Sequence, residues 1–146
     1  MTQTKIGTQD MLCFALYSAN NAINRLYRPL LAKLGLTYPQ YLVLVSLWSE
    51  DGKTVGQLGR ELGLESNTLT PLLKRMGEGG LITRKRSSQD ERVVEVSLTD
   101  KGRAMQSEAG EVAACVYEAM GLAPDELMEL RDRVFQLRDE VASRTP

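Results

Sequence analysis

The chain has 146 residues, 42% apolar and 25% charged, enough for one domain with a real core and an ordinary soluble composition. It contains no histidine, which excludes His-based acid–base catalysis, Ser-His-Asp triads and His-ligated metal sites. Its net charge of −1 gives no overall attraction to nucleic acid, so any such contact needs a local basic patch.

No apolar run approaches the roughly 18 residues that span a membrane. The start, MTQTKIGTQD, lacks the apolar region of a signal peptide, so a cytoplasmic protein is expected. Cys13 and Cys115 are too few and too far apart for a zinc ribbon or a CxxC motif, and both are expected reduced. No metal or other cofactor is implied.

From about Thr8 to Leu34, Leu12, Ala15, Leu16, Ala19, Ile23, Leu26, Leu30 and Leu34 recur at helical steps. Pro29 should bend this helix or interrupt its bonding, and Gly35 stands where a C-terminal cap belongs. Thr37 and Gln40 have capping-box spacing, and YLVLVSLW after them predicts a buried helix despite Val43 and Val45. Glu50-Asp51-Gly52 ends it.

Thr54 and Gln57 repeat the box before a short helix with Val55, Leu58 and Leu62 on one face. Gly63 breaks that helix. The next buries Leu69, Leu72, Leu73 and Met76. It starts either at Thr70, with Pro71 as its first residue, or at Ser66, with Pro71 inside; the Ser66 start is preferred. Gly79-Gly80 stops it.

Leu81–Arg86 and Arg92–Leu98 read as paired strands around a polar connection, Ser87–Glu91. Thr99-Asp100 then caps a long helix to about Met120, with Met105, Ala109, Val112, Val116 and Met120 on one side. Pro124-Asp125-Glu126 opens the last helix. Its Leu127, Leu130, Val134, Leu137 and Val141 form a heptad seam.

Helix, turn, helix and hairpin in that order make a winged helix-turn-helix over about 37–98. Helices over about 8–36 and 99–144 leave apolar faces to spare, so homodimerisation through them is expected within a single domain, 1–146. The expected fold is mainly α with a small β-hairpin wing.

The second helix of such a motif lies in the major groove of double-stranded DNA. Its side opposite the Leu/Met face offers Ser66, Asn67, Thr68 and Thr70, then Lys74 and Arg75, suited to base edges and phosphates. Arg84, Lys85, Arg86 and Arg92 bracket the wing tip. Arg92 can enter a narrow minor groove, and Asp90 can orient it by a charge-assisted pair.

The segment LITRKRSSQDERVVEVSLTDKG, with Asp90, Arg92, Leu98, Thr99 and Gly102, resembles the wing of the MarR family. Cys13 followed by FALYSANNAINRLYRPLLAKLGLTYPQYLVL resembles the organic hydroperoxide resistance regulators within it. That resemblance implies a reactive Cys13 whose thiol is held by Tyr27 and Tyr38 of a partner subunit. It also implies an intersubunit disulfide with Cys115.

Tyr27 lies 14 residues after Cys13, or about 21 Å along one helix, so only a partner's Tyr27 can reach the thiol. No cation adjoins Cys13 in sequence, so thiolate stabilisation has to come from hydroxyls and the helix dipole; Tyr17 is a same-chain neighbour. The expected function is a repressor that binds a pseudo-palindromic operator when reduced. Organic hydroperoxides, the expected inducers, would release it. Two alternatives stay open: a regulator released by a small phenolic or aromatic ligand, and a thiol peroxidase.

Overall fold

The computed structural model describes residues 5–146. The expectation that the first residues, MTQT, carry no signal segment lies outside them. Two compact units are present, one up to Ala113 and one from Ala114 onward. Among the described residues no helix is long and apolar enough to cross a membrane.

The first unit opens with a 3-10 turn, Thr8–Asp10, closed by Asp10 Oδ2 accepting from the Gly7 N–H at 3.0 Å. The expected helix from Thr8 therefore starts later, as α1, Leu12–Ala32. The turn ends at Met11, whose φ of −98° and ψ of 120° are extended. Pro29 lies inside α1, and the helix continues past it. The end of α1 closes as a Schellman motif: Leu36 N–H donates to Leu31 O and Gly35 N–H to Ala32 O, with Gly35 at φ +69°.

Helix α2 spans Tyr38–Ser49 and α3 spans Val55–Leu62. Both start with the capping boxes read from the sequence: Thr37 exchanges bonds with Gln40, and Thr54 with Gln57. Helix α2 is the centre of the core, with Tyr41, Val43, Leu44 and Leu47 buried; Val45 alone among its branched residues is exposed. Helix α4, Ser66–Glu78, buries Leu69, Leu72, Leu73 and Met76 against it. That is the face predicted for it. Truncating any one of these to Ala costs about 2–5 kcal/mol.

The chain leaves α4 through Gly80, at φ +74°, with Leu81 N–H donating to Met76 O. Strands β2, Ile82–Arg86, and β3, Val94–Leu98, pair antiparallel, with Arg84 opposite Val96 and Arg86 opposite Val94. The ribbon has a third strand that the sequence reading missed. Lys53–Thr54 forms β1 on the far side of β3, giving the order β1-β3-β2. Asp51 causes this pairing: its Oδ1 accepts from Leu98 N–H at 2.9 Å and from Gly52 N–H at 2.9 Å.

The predicted long helix from Asp100 is two helices, α5, Asp100–Ala104, and α6, Gln106–Ala119, broken at Met105. The apolar period runs through the break, so the sequence carries no signal for it. Thr99 caps α5 by accepting from Gly102 N–H. Ala109, Val112 and Val116 of α6 are buried as expected.

In the second unit α7 spans Pro124–Ser143, opened by Glu126 accepting from Ala123 N–H at 2.9 Å. No residue of α7 is buried. Its seam residues Leu130 and Val141 are 51% and 58% exposed, while Leu127, Val134 and Leu137 are half-buried.

Candidate functional site

Two places in the first unit carry polar chemistry beyond what folding needs. The first is the outer face of α4 with the hairpin. Helix α4 starts at Ser66, with Glu65 as a cap that supplies no side-chain bond. The Thr70 start is thereby overturned, because Thr68 and Leu69 N–H groups already donate to Glu65 O. Ser66, Asn67, Thr68, Thr70, Lys74 and Arg75 are all exposed. The first turn of α4 therefore keeps backbone donors open to an anion.

The wing tip is held by its own side chains. Arg92 N–H and Nε both donate to Asp90 Oδ1, at 3.1 and 3.2 Å, and Arg92 Nη2 reaches Oδ2 at 3.4 Å. The Arg92 side chain is 90% exposed, so the pair orients the guanidinium without covering it. The Arg92 side chain, and then its backbone N–H, hold the Asp90 carboxyl below its ordinary value. Arg86 Nη1 donates to Glu91 O at 2.7 Å, which ties the loop to β2.

Between α3, α4 and the wing runs a groove of about 690 Å³. It brings together Ser66, Thr70 and Arg92. It adds Arg60, which sequence reasoning did not select, and Arg84, read there only as part of the basic ribbon. Alternation on β2 could have placed Arg84; Arg60 needed the packing of α3 on α4. Lys74 and Arg86 line a separate hollow with Arg84. Arg75 lines a third with Lys33 and Lys101, so it is not brought to Ser66 and Arg92.

Two sets of side-chain bonds join neighbouring elements of this unit. Lys53 Nζ donates to Glu61 Oε2 and to Ser46 Oγ, both at 2.9 Å, and Ser46 Oγ donates to Glu61 at 2.8 Å. The Lys53 bond, then the Ser46 bond, lower the Glu61 carboxyl. Trp48 Nε1 donates to Gly102 O at 2.9 Å and joins α2 to α5.

The second place is at the two ends of α1. Cys13 is an exposed free thiol in the first turn, and Tyr17, one turn on, is 64% exposed. At the other end Tyr27 and Tyr38 have ring centroids 5.0 Å apart. Tyr41, which sequence reasoning missed, completes the cluster at 5.7 Å from Tyr27. It shares a helix face with Tyr38, three residues earlier, and that spacing was the available signal. Because α1 is one continuous helix, Cys13 and Tyr27 of the same chain stand about 21 Å apart along it. In the second unit Cys115 is likewise an exposed free thiol. Among the described residues no group of His, Cys, Asp and Glu could hold a metal ion.

A family model described as "Transcriptional regulator SarA/Rot" matches residues 25–109. The chain belongs to this family of MarR-type winged-helix transcriptional regulators. It is 42% identical over 129 residues to the organic hydroperoxide resistance transcriptional regulator of Bacillus subtilis (strain 168), covering 88% of each chain. It is 47% identical over 135 residues to the HTH-type transcriptional regulator TtmR of Methylorubrum extorquens (strain PA1), covering 92% of this chain and 69% of that one. Among solved structures it is similar to AbfR of Staphylococcus epidermidis, with TM-score 0.80, 34% identity, and 90% and 91% of the two chains covered. AbfR structures include a reduced form bound to DNA, at TM-score 0.75, and a disulfide-formed state, at 0.63. The MarR-type wing and helix-turn-helix read from the sequence are thus those of the family, and the chain is a transcriptional regulator.

Proposed function

We propose that this regulator is a homodimeric repressor that binds a pseudo-palindromic operator when reduced and lets go when an organic hydroperoxide oxidises Cys13. The observation that carries the reading is the layout of α1. An exposed thiol stands at one end and a tyrosine pair at the other, too far apart to meet within one chain. Two chains crossing antiparallel at a two-fold axis bring each Cys13 to the other's Tyr27 and Tyr38. The exposed Leu130 and Val141 of α7 supply apolar surface for the pairing.

In the reduced dimer α4 lies in the major groove, with Ser66, Asn67, Thr68 and Thr70 toward base edges and phosphates. Lys74 and Arg86 add positive charge. Arg92, aimed by Asp90, enters the neighbouring minor groove.

On oxidation the Cys13 thiolate sulfur attacks the hydrogen-bearing oxygen of the hydroperoxide. The O–O bond breaks, sulfur loses two electrons, and the alkoxide leaves and takes up a proton as the alcohol. The Cys115 thiolate of the partner subunit then attacks the sulfenic sulfur. Hydroxide leaves, is protonated to water, and a disulfide forms. A cross-link that fits only one disposition of the two reading heads shifts the dimer away from the operator-bound state. The names of the Bacillus subtilis relative and of the AbfR forms support this reading. The test is a non-reducing gel after cumene hydroperoxide: wild type should run as a covalent dimer and Cys115→Ser as a monomer. A covalent dimer in Cys115→Ser overturns the disulfide step.

One observation favours a second reading, release by a small phenolic or aromatic ligand. The hollow of about 560 Å³ lined by Lys33, Arg75 and Lys101, with Glu108 beside them, also has Leu81 and Met105 in its wall. Under that reading Cys13→Ser keeps its full response to the inducer.

A further inference from the structure

The groove between α3, α4 and the wing is lined by three arginines from three places in the chain, Arg60 of α3, Arg84 of β2 and Arg92 of the wing. No carboxylate lines it. The two neighbouring basic hollows differ, since Glu108 stands among the cations of one and Glu78 among those of the other. Asp90 offsets Arg92 alone, at the wing tip.

The fold gives Arg60 and Arg84 no counterion. Among the described residues neither enters an ion pair. Arg60 belongs to the last turn of α3, where a cation is ordinarily stabilised by the carbonyl end of the helix. Its guanidinium lies the other way. A Cβ built on Gly56, the second residue of α3, would stand 3.5 Å from Arg60 Nη1. The charge is thus carried back over the first turn of α3 and into the groove. Like charges gathered around an acid-free groove repel one another until an anion enters.

The anion that fits this layout is a phosphate of the DNA backbone. This rests on the reading above, in which α4 occupies the major groove and Arg92 the neighbouring minor groove. Adjacent grooves share the strand that separates them, and that strand crosses the space between α4 and the wing. The first helix of a helix-turn-helix crosses the backbone, and α3 is that helix here. We infer that Arg60 holds a backbone phosphate of this strand, with Arg84 lining the same groove. Arg60 then fixes the reading head on the duplex and carries no sequence information.

The test is fluorescence anisotropy over a salt series with two labelled duplexes. One is selected by the wild-type regulator from a random pool, and the other is its scrambled counterpart. Arg60→Gln should lower the log–log salt slope by about 0.9 for each phosphate lost, or about 1.8 for the two copies in a homodimer. The wild-type advantage then shrinks about twelvefold as salt rises from about 50 to about 200 mM. Both duplexes should weaken alike, and Arg60→Lys should keep the slope, since an ammonium also neutralises phosphate. Arg144→Gln removes the same charge outside the groove, next to Glu140, and should match wild type. An unchanged slope in Arg60→Gln overturns the proposal. So does weakening confined to the selected duplex, which would make Arg60 a base reader, or an equal fall in Arg144→Gln, which would make the effect one of net charge. Arg60 is exposed, so its variants should melt as wild type does. Failure of the docking reading itself shows elsewhere: Asn67→Ala and Arg92→Ala would then bind the selected duplex as tightly as wild type.

Discussion

Gly102 is the position where one added carbon should cost most. It is buried in α5, and a Cβ built there runs into the Leu81 carbonyl oxygen and lies 3.2 Å from Leu98 Cδ2. The Leu81 oxygen is backbone and already accepts from Thr99 N–H at 3.1 Å. Gly102 itself is held on both sides, donating to Thr99 Oγ1 at 3.1 Å and accepting from Trp48 at 2.9 Å. Neither side can yield as a flexible side chain would. Overpacking costs about 1–3 kcal/mol, and a clash with fixed backbone belongs at the top of that range. At about 2–4 °C per kcal/mol for a chain of this size, Gly102→Ala should melt about 6–12 °C lower. Gly77→Ala is the control. Its Cβ meets nothing nearer than Arg84 Nε at 3.8 Å, so added helix propensity should leave the melting point unchanged or slightly higher. Thermal unfolding followed by Trp48 fluorescence reads both, since Trp48 is the sole tryptophan and bonds to Gly102. A Gly102→Ala melt within about a degree of wild type would refute the rigid α5–β2 junction.

Three further outcomes follow from the wing and its brace. Arg92→Ala should flatten the salt dependence of operator binding by about 0.9 in log–log slope for each phosphate that Arg92 neutralises. An unchanged slope means that Arg92 touches no phosphate. Asp90 is held low by Arg92, so its bond to the wing is complete above the ordinary carboxylate pKa and is lost as pH falls through the lowered value. The Arg92 amide proton, which donates to Asp90 Oδ1, should therefore hold its NMR shift from neutral pH down to about 4 and move only below that. Movement near neutral pH, or none at all in strong acid, contradicts the pairing. Ser46→Ala deletes the hydroxyl between Lys53 and Glu61 and should cost about 1 kcal/mol in urea denaturation; no loss would mean the brace is idle.

What the sequence made legible was what neighbouring residues decide. The two capping boxes at Thr37 and Thr54, the Leu/Met face of α4 and the stop at Gly80 depend on residues close to one another along the chain. What it hid was decided at a distance. Strand β1 is two residues long and exists because Asp51 accepts from Leu98, 47 positions on. Arg60 joins the groove through packing of α3 on α4, and Arg75 leaves it because its side of α4 faces Lys33 and Lys101. The start of α4 was balanced in the sequence, since Pro71 favoured one register and Ser66 the other. The bonds from Thr68 and Leu69 to Glu65 decide it for Ser66.

In the proposed switch Cys13 is the input and the operator-binding face the output. Its direct test is fluorescence anisotropy of a labelled operator, titrated with the reduced regulator before and after cumene hydroperoxide, and again after dithiothreitol. Wild type should bind, release on oxidation and rebind on reduction. Cys13→Ser should bind equally well and ignore the peroxide. Release of Cys13→Ser by peroxide, or failure of the reduced variant to bind, would contradict a switch worked by Cys13.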